Sequence, residues 1–419
     1  MGVRFPVILI FLSTLTSQLV AQGARWPDFR GPTRDGHAPA ARVPLRWSET
    51  NNVRWKVPIP GVAWSSPVVW DGQVWMTTAS PKGHKMGVVA LDVATGKKLH
   101  ERLLIETEKP EEKNPLNSYA SPTPAIEEGR IYVHFGSYGT ACLDTKTGKT
   151  VWERSDLPCD HATGPGSSPI LYKDLLIFHM DGRDVQYVVA LDKKTGKTRW
   201  KTPRTIDLSK QAPDMRRAFS TPIVIDVDGA PRLVSTGSQA TYLYEPETGK
   251  EVWRLFHKGF SQSSRPVQGD GLLFLNTGYV RPQLLAVRPG GQGDVTDKDA
   301  IAWTFRRSVP TMPSALFIDG LIYMVSDGGV ASCVEAKTGK SLWRERIGGE
   351  HSASPVFVNG RIYFFDREGG SVVIAPGPEF KKLAENTLES GCMASAAVVG
   401  DAFLLRTKKH LYRLEKDPE

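Results

Sequence analysis

Cysteine is scarce in this 419-residue chain: there are four, with no adjacent pair and no Cys-x-x-Cys. So few cysteines in a chain of this length exclude a small disulfide-built scaffold. Cys142 and Cys333 take positions that hold alanine in other copies of the repeat described below, so we interpret them as small core residues. Cys159 and Cys392 both precede a first strand of that repeat, and a disulfide between them is conceivable but is not predicted.

Long apolar runs are also missing, except at the N-terminus. Arg4 precedes the apolar residues 7–12, and the small residues Ala21, Gly23 and Ala24 follow. This pattern predicts a cleavable signal peptide over residues 1–23, followed by an N-terminal extension over 24–52. It is too short for a membrane span, and no cysteine follows it that could carry a lipid. We therefore predict a periplasmic or secreted protein without a membrane span.

Charge of one sign is not concentrated anywhere, although the net charge is +8. Many lysines stand singly in repeated turns, and there is no dense run of Lys and Arg, so nucleic-acid binding is not predicted. Nucleophile elbows, zinc helices and phosphate loops are absent from the sequence. We assign no catalytic residue and no metal ligand on this basis.

What the sequence does have is one repeated pattern, with seven copies and a shorter eighth. Each copy has a Ser-Pro-led apolar run, a tight turn, two further apolar runs, Asp-x-x-Thr-Gly-Lys and a tryptophan. Copy three, residues 167–200, shows the pattern most completely. Four strand-length units in 41 to 55 residues are typical of a propeller blade. The lead positions are Pro67, Pro122, Pro169, Pro222, Pro266, Pro313, Pro355 and Ala396.

The eighth copy supplies only three strands. Residues 53–57 can supply the fourth, which would close the ring between the two ends of the chain and leave no open edge. We therefore predict an all-β, eight-bladed propeller of four-stranded antiparallel blades over 53–419; seven blades is the alternative if copy eight is misread.

A recurring large aromatic residue is expected to dock neighbouring blades: Trp55, Trp152, Trp200, Trp253, Trp303 and Trp343.

Residues 190–200, Ala-Leu-Asp-Lys-Lys-Thr-Gly-Lys-Thr-Arg-Trp, resemble the tryptophan-docking motif of pyrroloquinoline-quinone (PQQ)-type propellers. The motif recurs at Asp92, Asp144, Glu245 and Glu335. The opening residues 26–32 and the closing residues 405–412 are similar to those of uncharacterised secreted members. The chain thus resembles the PQQ-like, or quinoprotein alcohol dehydrogenase-like, repeat family.

Two branches of that family imply different functions. One resembles BamB, a non-catalytic propeller of the outer-membrane assembly machine, which is usually anchored through an N-terminal cysteine that this chain lacks. The other comprises quinoprotein alcohol dehydrogenases, which hold quinone and calcium in the channel and often carry adjacent cysteines. No position matches their calcium ligands, so no cofactor is predicted; PQQ with Ca²⁺ is the alternative.

A propeller brings the loops before its first strands and those between its second and third strands to one face. Here those loops are rich in arginine and histidine, and a cationic, aromatic-lined mouth suits a carboxylate, a phosphate or an acidic peptide. The candidate binding face comprises Trp64, Tyr138, His161, Asp181, Arg183, Arg216, Arg217, Arg281, His351, Asp366, Arg367 and Lys408.

These observations predict a non-catalytic binding or scaffold module, monomeric, with a protein or peptide partner that could lie at the cell envelope. The first alternative is a PQQ-dependent alcohol dehydrogenase with its cofactor in the channel. A third hypothesis is a hydrolase or lyase that uses His161 or His351 as a general base, oriented by Asp181 or Asp366.

Overall fold

A computed structural model describes residues 25–38, 41–297 and 299–416. Eight antiparallel sheets follow one another along the chain and close into a ring, which confirms the eight-bladed, all-β prediction. Regular helix within these ranges is limited to two 3₁₀ turns, Gly136–Tyr138 and Pro213–Met215. Nowhere in the described ranges is there a helix with the length and apolarity to cross a bilayer. The predicted signal peptide lies outside the described residues.

The strands of the first half follow the repeat. A first strand, β1 (Val53–Pro58), precedes the blades. Blade 1 has β2 (Val68–Trp70), β3 (Gln73–Ala79), β4 (Lys85–Asp92) and β5 (Lys98–Glu106); blade 2 has β6 (Ala125–Glu127), β7 (Arg130–His134), β8 (Thr140–Asp144) and β9 (Thr150–Arg154). Blade 3 has β10 (Ile170–Tyr172), β11 (Leu175–Asp181), β12 (Gln186–Asp192) and β13 (Thr198–Pro203). Blade 4 has β14 (Ile223–Val227), β15 (Ala230–Gly237), β16 (Ala240–Tyr244) and β17 (Glu251–Phe256).

The second half continues the pattern, with one addition. Blade 5 has β18 (Val267–Gly269), β19 (Leu272–Asn276), β20 (Leu284–Val287) and β22 (Ile301–Phe305), while β21 (Gly293–Asp294) joins blade 4 as a parallel fifth strand. Blade 6 has β23 (Leu316–Ile318), β24 (Leu321–Val325), β25 (Val330–Glu335) and β26 (Ser341–Arg346). Blade 7 has β27 (Val356–Val358), β28 (Arg361–Phe365), β29 (Gly370–Ala375) and β30 (Lys381–Thr387). Blade 8 has β31 (Ala397–Val399), β32 (Ala402–Arg406) and β33 (His410–Glu415).

Blade 8 is completed by β1, which pairs antiparallel with β33. The register places Trp55 opposite Arg413 and Pro58 opposite His410. This is the closure that the three-stranded last copy predicts, and the seven-bladed alternative is wrong because copy eight forms a full sheet.

Each blade buries its middle strands between two neighbours, which explains their nearly continuous apolar runs. Residues 88–91 of β4 are 0–1% exposed, for example. The tight turns suit their sequence as well: Asp71 and Gly72 have φ of 52° and 76°, which Asp and Gly tolerate better than most residues do.

Two lead positions were assigned incorrectly from the sequence. Strand β6 begins at Ala125, so Pro124 and not Pro122 directly precedes it, and β23 begins at Leu316, directly after Ala315 and not after Pro313. Blade 2 contains a second proline in Ser-Pro-Thr-Pro, and blade 6 places alanine at the lead position. In blade 2 the first of the two prolines resembles the lead residue, and in blade 6 the nearest proline stands two residues before it.

The six tryptophans named above lie between blades. Each indole N–H donates to a backbone carbonyl of the following blade at 2.7–3.2 Å. Trp152 also covers the turn glycine of blade 3 so closely that a Cβ on Gly196 would lie 2.7 Å from the ring. This contact explains why the Thr-Gly turn and the tryptophan recur together. All four cysteines are buried free thiols, so Cys159 and Cys392 are not paired.

Candidate binding site

A ring of hydroxyl groups surrounds the central channel. In each blade one residue lies just before the lead position of the first strand, and in seven blades it is Ser or Thr. Its oxygen accepts a backbone N–H from the corresponding residue of the preceding blade at 2.9–3.2 Å. These residues, called the hydroxyl ring below, are Ser66, Thr123, Ser168, Thr221, Ser314, Ser354 and Ser395.

Blade 5 interrupts this ring, because Arg265 stands where the others have a hydroxyl. The backbone N–H of Arg265 still donates to Ser314, but the N–H of Thr221 has no hydroxyl to meet in blade 5. The Ser220 hydroxyl bridges the gap, since it donates to the carbonyl of Ser264 at 2.8 Å. Arg265 turns instead towards the N-terminal segment of the chain.

That segment, residues 26–38, crosses the end of the channel and is called the floor segment below. Trp26 exchanges backbone hydrogen bonds with Val69 of blade 1 at 2.8 and 2.9 Å. Phe357 of blade 7, two blades from blade 1 around the ring, donates to Gly36 and accepts from Ala38, each at 2.9 Å. Arg34 donates to the Leu171 carbonyl of blade 3, opposite blade 7, at 2.7 Å, so the segment spans the ring.

Two buried arginines fix the floor segment to the remaining side of the ring. Arg265, 2% exposed, bonds the Phe29 carbonyl and Asp28 Oδ1 (3.4 Å), and also reaches the Pro222 carbonyl of blade 4 at 2.9 Å. Arg30, also 2% exposed, donates to the Ala315 carbonyl of blade 6 at 2.8 Å. Together these contacts close one end of the channel and leave the other end open.

The open end leads into a cavity of about 360 Å³. Phe29 of the floor segment and six members of the hydroxyl ring line it. A second tier of residues surrounds the entrance. Each of them lies two positions before a hydroxyl-ring position in the sequence. This upper tier contains Trp64, Ser121, Gly166, Phe219, Ser263, Met312, Ser352 and Met393.

Among the described residues, the cavity lining contains no aspartate or glutamate, and Arg217 is its one lysine or arginine. Arg217 Nη1 donates to Asp214 at 2.8 Å, while its buried Nε has no protein partner. Tyr279, which is 58% exposed, stands on the β19–β20 loop at the entrance. The cavity thus combines many hydroxyls, an apolar entrance and a single cation.

Of the residues predicted for the binding face, only Trp64 and Arg217 line this cavity. The other arginines of the prediction are mostly engaged locally. Arg183 pairs with Asp160 at 2.9 Å, Arg367 with Glu350 at 2.8 Å, and Arg216 donates to the carbonyls of Ser209 and Gln211. Arg281 and Lys408 are exposed, and the hydroxyl of Tyr138 accepts the N–H of Glu111 at 2.6 Å. Three of the cations expected at the mouth, Arg183, Arg217 and Arg367, are therefore paired with carboxylates.

The two candidate general bases are both buried. His161 lies 3.6 Å from the Cys159 sulfur, and burial lowers the pKa of its imidazole to about 4. Burial raises the pKa of the Cys159 thiol, and the Asp184 carboxylate raises it further, so this pair does not form a reactive thiolate. His351 contacts the carbonyls of Phe365 and Gly348 at 3.1 and 3.0 Å, and burial lowers its pKa as well.

The two carboxylates suggested as orienting groups have structural partners. Asp181, 1% exposed, is held by Arg204 through two hydrogen bonds of 2.8 and 3.1 Å. Asp366 Oδ1 accepts three backbone N–H groups, those of residues 368–370, at 2.7–2.9 Å. Both observations favour a structural role for these residues.

The lining also bears on the quinone and calcium of the dehydrogenase branch. Calcium takes six to eight oxygen ligands, with carboxylates among them. The described lining of the cavity offers no carboxylate. Within the described ranges, no group of three His, Cys, Asp or Glu side chains could hold a metal ion. The residues present therefore do not fit the calcium ion that accompanies the quinone in that branch.

Sequence reasoning missed the floor segment, the upper-tier residues Phe219 and Met393, and the hydroxyl ring. A signal for the ring was present in the sequence, because Ser or Thr directly precedes the lead proline at Ser66, Ser168, Thr221 and Ser354. No comparable repeated signal marks the floor segment, which occurs once.

Comparison with known proteins gives two kinds of relative. One is the outer membrane protein assembly factor BamB of Yersinia pestis, 26% identical over 196 residues, which are 42% of this chain and 46% of the relative. The other is the quinohemoprotein alcohol dehydrogenase ADH IIB of Pseudomonas putida, 23% identical over 339 residues, which are 62% of this chain and 45% of that protein. The matched regions span less than half the length of each of these curated relatives.

Among solved structures, quinohemoprotein alcohol dehydrogenase ADHIIG of Pseudomonas putida HK5 superposes with a TM-score of 0.62 at 12% identity. The match covers 94% of this chain and 81% of that one and shows a shared fold. A family model described as "Outer membrane protein assembly factor BamB" matches residues 45–164, 103–228, 184–316 and 293–377. Since these matches together cover well over half of the sequence, the chain belongs to the PQQ-like propeller family that bears the description outer membrane protein assembly factor BamB.

Proposed function

We propose that this protein is a non-catalytic binding module of the periplasm or the extracellular space, which holds a protein or peptide partner at the open mouth of its channel. The observation that carries the proposal is the one-ended cavity: the floor segment closes one end, and the upper tier leaves the other open. The BamB-type family description and the relative named as an assembly factor support a scaffold at the cell envelope.

The mouth presents apolar groups to solvent, which is typical of binding surfaces. Leu116, Tyr279 and Val280 are 50%, 58% and 64% exposed. Val280 has a φ of 94°, which is unfavourable for a β-branched residue. Backbone strain of this kind tends to occur at functional sites. The β19–β20 loop is therefore the part of the mouth that we expect to touch a partner first.

Site-specific photo-crosslinking in the native host tests this proposal. A photo-reactive phenylalanine analogue at Tyr279 is expected to give a discrete crosslinked product of higher mass. The same analogue at Lys197, an exposed residue in a Thr-Gly-Lys turn on the opposite face, is the matched control. Crosslinked products from Lys197 and none from Tyr279 would contradict the proposal, because the partner would then contact the opposite face of the ring.

A quinone-dependent dehydrogenase is the second candidate, because the Pseudomonas putida relative matches a larger share of this chain than the assembly factor does. That function requires carboxylate ligands for calcium next to the quinone. The lining instead supplies hydroxyl groups and one arginine. The donor set therefore favours the binding module.

A further inference from the structure

We propose that the cavity binds a carboxylate group carried on an apolar or aromatic body, with an additional hydrogen-bond acceptor placed deeper than the carboxylate. This inference deepens the proposed function, on which it rests, by assigning a ligand chemistry to the open mouth. Three independent features of the described residues support it: the free donors of the hydroxyl ring, the charges around the cavity, and the order of side chains on one wall.

The hydroxyl ring offers donors to the cavity. Each ring oxygen already accepts a backbone N–H from the preceding blade. A hydroxyl has one donor and two acceptor sites, so its own proton remains available. No acceptor in the described part of the chain takes the protons of Thr123, Ser168 or Ser354, all of which line the cavity. Such a surface favours ligand groups that accept hydrogen bonds, such as carbonyl oxygens.

The charges around the cavity favour an anion. Among the described residues no carboxylate lines it, and Arg217, whose Nη1 pairs with the exposed Asp214 outside the lining, contributes a buried Nε without a partner. Behind the wall, Arg406 is 3% exposed and bonds only the Ser65 carbonyl and hydroxyl, at 3.0 and 2.7 Å. Burial lowers the pKa of Arg406 to about 9, so it still carries its charge at neutral pH. A buried cation without a carboxylate partner contributes a positive potential next to Ser66.

The order of side chains on the blade 4 wall indicates how such a ligand would lie. Arg217, Phe219 and Thr221 are alternate residues in the segment that leads into β14, and all three line the cavity. Going inwards along the chain, the wall presents a cation, an aromatic ring and a hydroxyl. A carboxylate on the Arg217 guanidinium would form a charge-assisted hydrogen bond. Its apolar body would then contact Phe219, with an acceptor at Thr221.

Ligand-observed NMR titration with N-acetyl-L-tryptophan tests the inference, because this probe combines a carboxylate, an aromatic body and an amide carbonyl. N-acetyl-L-tryptophanamide is the neutral isostere. We expect the carboxylate to bind with a Kd below about 1 mM and about tenfold more tightly than the amide. In Arg217→Gln this preference should disappear. In Arg216→Gln, the neighbouring arginine that bonds only backbone carbonyls, the preference should persist.

Two further arms complete the design. Ser263→Trp fills the upper tier at a serine whose hydroxyl makes only one long hydrogen bond, of 3.5 Å, and should abolish binding of both probes without lowering Tm. The peptide Ac-Ala-Ala-Trp, with a free or an amidated C-terminus, distinguishes two sources of the carboxylate. If the natural ligand is the C-terminus of a peptide, the free-acid peptide should bind more tightly than N-acetyl-L-tryptophan. If it is a free small molecule, the peptide should bind no more tightly.

The inference is overturned if neither carboxylate binds at millimolar concentration, or if Arg217→Gln keeps the preference for the carboxylate. A failed titration together with mouth-specific crosslinking from position 279 would remove this inference and leave the proposed function standing. Failure of both experiments would remove both.

Discussion

Replacing Arg265 with methionine is expected to lower the free energy of unfolding by about 3–5 kcal/mol, the usual cost of removing one partner of a buried ion pair. The Arg265 side chain is fully buried and bonds Asp28, the Phe29 carbonyl and the Pro222 carbonyl. Without it, two carbonyls lose a donor, and the Asp28 carboxylate, 4% exposed, keeps only its ion pair with Arg34 at 3.0 Å.

Chemical denaturation of the purified protein measures this loss. Arg281→Met is the matched control, because Arg281 belongs to the same blade and is exposed; its effect should stay within about 0.5 kcal/mol. Hydrogen exchange should also show that residues 26–38 lose protection in Arg265→Met before the blades do. A change below about 1 kcal/mol would mean that Arg265 does not hold the floor segment.

The second large effect is expected at the pair of Asp181 and Arg204. Asp181→Ala should destabilise the fold by about 3–5 kcal/mol, because it leaves a buried guanidinium without its carboxylate. The two side chains are 0% and 2% exposed and are joined at 2.8 Å. Although burial alone would lower the pKa of Arg204, the charge of Asp181 raises it above the usual value, so Arg204 is charged in the folded protein.

The double variant Asp181→Leu with Arg204→Leu provides the control for this prediction. Apolar replacement of a whole buried ion pair is often close to neutral, so the double variant should be more stable than Asp181→Ala. Thermal and denaturant unfolding of the three proteins give the comparison. An Asp181→Ala protein as stable as the wild type would show that the pair contributes nothing to folding, and would reopen the hypothesis that Asp181 orients a catalytic group.

Most of the fold could be predicted from the sequence because each blade is specified locally. Turn residues, alternating apolar runs and a docking tryptophan recur within each copy, so one copy that is easy to interpret explains the others. The closing strand was also predictable, since Trp55 lies in a stretch that alternates apolar and basic residues, 53–57, and the last copy lacks its fourth strand. The errors at Pro122 and Pro313 are shifts of two residues within correctly identified blades.

The site was less predictable because it depends on contacts between distant residues. Arg265 and Asp28 are 237 positions apart, and no repeat connects them. The pairing of Arg183 with Asp160 spans a loop whose course the sequence does not specify. The arginines and histidines of these loops therefore predicted a cationic face, whereas the folded chain pairs Arg183, Arg217 and Arg367 with carboxylates. It exposes Leu116, Tyr279 and Val280 instead.

The central claim is that the working surface is the open mouth of a channel that the floor segment closes at the other end. The most direct test is the yield of crosslinked partner from position 279 when the cavity is filled by Ser263→Trp. We predict that the yield falls several-fold, while Lys97→Trp, at an exposed turn on the opposite face, leaves it unchanged. An equal yield from the filled and the open cavity would contradict the claim.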